Sequence, residues 1–257
     1  MINFKDVNLT LGNNQVLSNL NLSLNDGEII GIIGPPSSGK SVLAKVLTGT
    51  TKNYKGDIFH NNNKILKYSS KEMFTNFSYL IHEMPANPDA SLINFLLSSR
   101  IIYKKIFKPY LESDFLAVEY YIKKFELEEF KDHKIYQLSD SILKKAQLAY
   151  TFIREAQNII LDNPTILLDI KGRMQLSRVL SRYVMDGENI IIICSNDLNF
   201  ISQTVDRVLF IDQGKIIQDG SVEIITSELI KKYYHSEVII SKNIYNGRPE
   251  VHFFPES

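Results

Sequence analysis

Eight residues, Gly34-Pro-Pro-Ser-Ser-Gly39-Lys40-Ser41, constrain this chain more than any other feature. They match the pattern G-x-x-x-x-G-K-[ST] without a mismatch. They follow a nearly continuous β-branched run, Glu28 to Ile33, and open a helical pattern, Lys40 to Leu47. The loop's backbone N–H groups and the helix N-terminus present positive potential to a phosphate, and the glycines let the main chain approach it. By composition the pattern arises by chance in roughly one chain in a hundred of this length, and the flanking strand and helix reduce that further. Gly34, Pro35, Pro36, Ser37, Ser38 and Gly39 are read as the cradle, Lys40 as its mobile cation and Ser41 as a hydroxyl placed to bind Mg²⁺. The usual second anchor is an aspartate closing a neighbouring buried strand, and Asp162, after Asn158-Ile-Ile-Leu161, has that place.

The surrounding pattern predicts an α/β fold. Ile2 to Leu9 and Val16 to Leu24 alternate like half-exposed antiparallel strands joined around Gly12. Phe77 to Ile81, Asn158 to Leu161 and Asn189 to Ile193 are short apolar runs separated by helical periodicity, as expected of a buried parallel sheet. The expected organisation is a P-loop core with a mixed sheet and an antiparallel β subdomain, over 1–85 and 157–220. An inserted helical subdomain, free of glycine, is expected over 86–156, and a C-terminal helix, Glu223 to Tyr234, with a polar tail over 221–257.

Composition narrows the function classes. Lysine plus arginine, 29, balance aspartate plus glutamate, 29, so no net field favours nucleic acid. Ala90 to Ile106 is the most apolar helical stretch, but Ser98, Ser99, Arg100, Lys104 and Lys105 interrupt the ~20 apolar residues that a bilayer crossing needs. Direct membrane insertion is not expected. The single cysteine, Cys194, reads as a small buried apolar side chain. His60, His133, His235 and His252 lack ligand spacing and read as surface histidines.

Further motifs resemble one family. Asp162-Asn-Pro-Thr-Ile-Leu-Leu-Asp169 resembles the Walker B and D-loop of ATP-binding cassette (ABC) transporter subunits, and Leu138-Ser139 before a basic helix looks like their signature. Tyr79-Leu-Ile-His82 falls at the Q-loop, Ser195-Asn196-Asp197 at the switch histidine, and Asp206 to Ile216 resembles the closing strand pair. The resemblance covers residues 1–220. It implies ATP and Mg²⁺ as cofactors, with Ser41 and Asp162, and more weakly His82, near the metal.

At several positions the sequence departs from the family's pattern. Asn163 stands where a catalytic glutamate is usual, and a carboxamide cannot accept the attacking water's proton at neutral pH. Loss of a general base is worth about 10²–10⁴ in rate, so weak or absent hydrolysis is expected. Asn196 replaces the switch histidine, His82 the Q-loop glutamine, and Leu11 the aromatic residue that stacks on adenine. In the signature, Leu138-Ser139-Asp140-Ser141-Ile142 keeps the serine and loses both glycines. A carboxylate such as Asp140 about 6 Å from a phosphate costs on the order of 3 kcal/mol at an effective dielectric near 20, unless it points away.

The resemblance further implies a head-to-tail dimer, homo- or heterodimeric, in which Ser139 approaches the partner's nucleotide. It also implies a transmembrane permease as partner, received in a groove that includes some of Met84 to Phe107, and a peripheral cytoplasmic location. A soluble scaffold or regulator of the same family is the alternative; a P-loop kinase or GTPase is weakened by the ordered later motifs. Gly39-Lys-Ser-Val-Leu alone resembles cassettes of lipid-trafficking systems.

Overall fold

The computed structural model describes residues 1–80, 82–104 and 108–254. The chain opens with β1 (Ile2–Leu11), β2 (Asn14–Leu24) and β3 (Ile29–Ile33), then α1 (Lys40–Leu47), β4 (Lys55–His60), β5 (Asn63–Lys64), α2 (Ser70–Asn76) and β6 (Phe77–Tyr79). Three helices follow: α3 (Leu92–Ser98), α4 (Glu112–Lys124) and α5 (Asp140–Ile153). Strand and helix then alternate through β7 (Asn158–Asp162), α6 (Ile170–Tyr183), β8 (Ile190–Cys194), α7 (Leu198–Thr204) and β9 (Arg207–Asp212). The chain closes with β10 (Lys215–Gly220), α8 (Ser227–Tyr234), β11 (Val238–Lys242) and β12 (Pro249–Phe253).

The main sheet has the order β10-β9-β3-β8-β7-β6, with β9, β3, β8, β7 and β6 parallel and β10 an antiparallel edge. Every residue of β3, β7 and β8 is buried, which is why these segments read as continuous apolar runs. Ile29, Ile33, Ile191 and Ile193 face a core shared with α5 to α8, whereas Ile30, Ile32, Ile190 and Ile192 face one shared with α1, β1 and β2. A second sheet, β2-β1-β4-β5, is antiparallel throughout. Between β6 and β7, α3, α4 and α5 pack around Phe125 and Phe152. A buried ion pair stabilises that packing: Arg100 Nε donates to Asp114 Oδ1 at 2.9 Å, and its Nη1 to the Ile153 carbonyl at 2.9 Å.

Four sequence expectations need correction or extension. The strand ending at Asp162 is not the hydrogen-bonded neighbour of the one ending at Ile33; β8 lies between them, with Cys194 in register with both Ile32 and Asp162. Pairing order is set by long-range packing, which the local pattern does not carry. His60 is buried, not superficial: Nδ1 meets the Tyr68 hydroxyl at 3.0 Å and Nε2 meets Gln157 and Asn158 at 3.1 and 3.0 Å. Burial holds its pKa below the ordinary histidine value. The tail after α8 is a hairpin, β11 with β12, tied to α7 by Asn199, which bonds the Val251 carbonyl at 3.0 Å and amide at 2.7 Å. Finally, β4 completes the second sheet at a segment whose single buried face was too weak to read.

Candidate functional site

The loop between β3 and α1 is fixed by close backbone contacts. A side chain at Gly34, φ 156°, would put a Cβ 2.0 Å from the Ile211 carbonyl oxygen. Gly39, φ 111°, would meet the Val16 carbonyl at 2.9 Å. The turn between β9 and β10 braces the loop from outside: the Gly214 amide donates to the Ser38 carbonyl at 2.9 Å, and the Gly214 carbonyl accepts from Ser18 at 2.9 Å. Gln213 and Gly214, both at positive φ, form the two-residue hairpin turn that requires such residues.

Lys40 is buried and folds back over the loop. Its Nζ donates to the Gly34 carbonyl at 2.7 Å, the Pro35 carbonyl at 2.9 Å and Ser38 Oγ at 3.3 Å. Burial lowers its pKa, and the Asp162 carboxylate opposes that shift. Leu11, Pro36, Ser37, Ser38, Gly39, Lys40 and Ser41 line one cavity of about 510 Å³ together with Asn163 and Asn196. That volume suits a small organic ligand.

Asp162 closes β7 buried beside this cavity. Asn163 Nδ2 donates to Asp162 Oδ1 at 3.2 Å, while the Asn163 amide donates to the Cys194 carbonyl at 2.7 Å. Asn163 holds φ 44°, a left-handed conformation that asparagine tolerates better than most residues. The Tyr79 phenol is pushed up to about 12, chiefly by burial and next by the Asp162 charge. Cys194 is buried as expected, and its Sγ contacts the Lys40 carbonyl at 3.6 Å.

His82 and Ser139 lie outside the cavity lining. His82 Nδ1 faces Lys144 Nζ at 3.3 Å, and its pKa is lowered by burial and then by that lysine, against the influence of Asp162. Ser139 caps α5, its Oγ accepting from the Ile142 amide at 3.5 Å. Asp140, in the first turn of α5, is exposed. Of the segment expected to be a Q-loop, Ile81 lies outside the described residues, as do positions 105–107 of the expected permease groove. Sequence reading missed Lys144, which is buried on α5 and pushed down to about 8 by burial despite the Asp162 charge. Its only advance signal was the basic character of the helix after Ser139. The turn at Gly214 was read as part of the closing strand pair, but its hydrogen bond to the glycine-rich loop was not foreseen.

The family model described as ABC transporter matches residues 17–166, more than half the chain. The chain belongs to the ABC transporter family. Petrobactin import ATP-binding protein YclP of Bacillus subtilis is 26% identical to this ABC chain over 254 residues, 98% of the chain and 100% of its own length. Ferric enterobactin transport ATP-binding protein FepC of Escherichia coli is 26% identical over 246 residues, covering 95% of the chain and 91% of its own length. Among solved structures, a putative metal-chelate type ABC transporter in an inward-facing conformation superposes with TM-score 0.80 at 18% identity, covering 100% of this chain and 97% of that one. An ATP-binding cassette in its ADP conformation gives 0.78 at 19% identity, covering 91% and 97%. At these identities the superpositions carry the ABC cassette fold, an α/β P-loop architecture. ATP is the nucleotide of the family, and the matched span includes the loop from Gly34 to Ser41. Among the described residues of this ABC chain, no helix is long and apolar enough to cross a membrane.

Proposed function

We propose that this chain is the ATP-binding subunit of an ABC importer for an iron–chelate complex, coupling nucleotide binding and dimer closure to a membrane permease with weak intrinsic hydrolysis. The observation that carries the reading is the loop at the end of β3, where Lys40 bonds two loop carbonyls and a loop hydroxyl beside Ser41 and Asp162. The loop acceptors hold the ammonium where a phosphate group can replace them, so the cation is delivered without a large rearrangement. The import substrates named for YclP and FepC support the iron-chelate class, over nearly the full length of each relative. They lend nothing to the lipid-trafficking resemblance.

Ser41 and Asp162 offer hydroxyl and carboxylate oxygens, the hard donors that Mg²⁺ prefers. When bound, the ion would neutralise charge on the nucleotide's phosphate oxygens. His82 is not retained as a metal donor in this reading, because the Lys144 ammonium 3.3 Å from Nδ1 repels a second cation. Leu11 borders the cavity with an apolar side chain, so affinity rests on the phosphates more than on the base.

Weak turnover follows from Asn163 and Asn196, two carboxamides that border the cavity where a base and a switch histidine are usual in the family. In this reading the core spans 1–85 and 157–220, the helical part 86–156 and the tail 221–257. The dimer is head-to-tail, with Ser139 presented to the partner's nucleotide, and the chain lies on the cytoplasmic face through its permease.

Titration calorimetry with MgATP tests the core of the proposal: one ATP is taken up per chain, and Lys40→Ala weakens it by about 10- to 100-fold, the worth of a charge-assisted hydrogen bond. A folded chain that takes up no ATP overturns it. Co-purification of a membrane-spanning chain separates the transport reading from a soluble scaffold.

A further inference from the structure

A second cavity, of about 500 Å³, lies between α4 and α6 and shares no residue with the cavity at the glycine-rich loop. Its floor includes Gln175, which is only 6% exposed and whose Oε1 and Nε2 both lack a hydrogen-bond partner among the described residues. A buried carboxamide with neither end satisfied is rare in a folded protein and calls for an occupant. Glu126 borders the same cavity; its carboxyl is held below the ordinary range first by Lys171, with Gln175 a lesser contributor, and no contact of Gln175 with it meets hydrogen-bond geometry.

The charge around that floor is unbalanced. Arg178 and Arg182 follow Gln175 at helical spacing on α6, and Lys123 and Lys124 end α4 across the cleft. Two of the three carboxylates in the lining are already engaged, Glu126 with Lys171 and Glu155 with Arg100. Four cations therefore face one carboxylate, Asp186, and none of the four makes an ion pair among the described residues. Guanidinium forks suit carboxylate or phosphate oxygens, and a free carboxamide suits a neighbouring group that both donates and accepts.

We propose that the α4–α6 cleft binds a small organic anion carrying a hydroxyl beside its carboxylate or phosphate, with Arg178 and Arg182 taking the charge and Gln175 reading the hydroxyl. The ligand bridges a helix of the 86–156 block to one of the main-sheet layer, so its occupancy restrains their relative motion. The proposal is independent of the nucleotide reading.

The test uses the full chain with its glutamine side-chain amides observed by NMR in 150 mM salt, the Gln175 signal being assigned by its loss in Gln175→Leu. The probes are citrate and 3-phosphoglycerate, both hydroxylated anions, against inorganic sulfate at matched ionic strength. The expected result is a saturable shift of the Gln175 amide with at least one hydroxylated probe and not with sulfate, weakened at least tenfold in the surface double variant Arg178→Glu/Arg182→Glu. The proposal is overturned if neither probe moves the signal, if sulfate moves it equally, or if charge reversal leaves the shift intact. Should Gln175→Leu fail to fold, the arginine variant still decides by calorimetry with the same probes. MgATP uptake measured on the same samples keeps a failure here distinct from a failure at the glycine-rich loop.

Discussion

Asn163 donates its Nδ2 to Oδ1 of Asp162 at 3.2 Å, so the last residue of β7 and the first beyond it are tied side chain to side chain. In Asn163→Glu that donor becomes a second carboxylate beside the first, and like-charge repulsion raises its basicity. Turnover of ATP should increase by about 10²–10⁴, the usual worth of a positioned general base. Glutamate is less suited than asparagine to φ 44°, so the variant should also lose about 1 kcal/mol of stability. Phosphate release and urea midpoints measure the two effects separately. Unchanged turnover in a folded variant would move the defect to Asn196 or to the 138–142 segment.

Gly34 and Gly12 both have positive φ but different surroundings. An alanine Cβ at Gly34 meets the Ile211 carbonyl at 2.0 Å, whereas at Gly12 nothing lies within 4 Å. Gly34→Ala should therefore cost more than about 3 kcal/mol, and Gly12→Ala only about 1 kcal/mol for its left-handed backbone. Thermal melts of the two variants should rank them in that order.

Lys144 is buried, and its pKa is pushed down to about 8, mainly by burial. The unfolded lysine titrates near 10.4, so below pH 8 the chain folds against the penalty of a buried charge. Between about pH 8 and 10.4 the unfolded state binds more protons, and this residue's contribution to stability rises with pH. Lys144→Met should accordingly be more stable than the wild type at pH 7, by about 1 kcal/mol. That advantage should shrink by pH 10, as paired denaturation curves at the two pH values would show.

Asp114 is buried against Arg100, which is raised above the ordinary arginine value because Asp114 and Glu155 outweigh its burial. Asp114→Ala leaves the guanidinium buried with the exposed Glu155, the Ile153 carbonyl and the Tyr103 ring as its remaining partners. The expected loss is about 3 kcal/mol or more. Urea denaturation measures it, and Glu155→Ala, which removes the exposed partner, should cost under about 1 kcal/mol.

The elements legible in the sequence were those whose cause is local. Lys40–Leu47 appears with the boundaries that its apolar spacing predicts, and the apolar runs at β3, β7 and β8 became the buried centre of the main sheet. The loop between β3 and α1 was legible because its glycines and lysine stand at fixed spacing between an apolar run and a helical pattern. The position of β8 between β3 and β7 was not legible, since it depends on β8 pairing with β3, far away in the sequence, as well as with the nearby β7. Lys144 was hidden for the same reason: a lysine on a helix reads as solvated until the fold places His82 against it. The hairpin of β11 and β12 was masked because its apolar residues do not keep to one buried face: Val238 and Val251 are buried, whereas Ile239 and Phe253 are exposed.

Cys194 sits at the end of β8 between Ile32 and Asp162, sealed from solvent, with burial driving its thiol well above the ordinary range. The natural chain is thus in practice a thiol-free background for maleimide chemistry. Paramagnetic or fluorescent tags placed at single added cysteines on the surface would report their own positions, and distances between two bound copies could be followed without first removing Cys194.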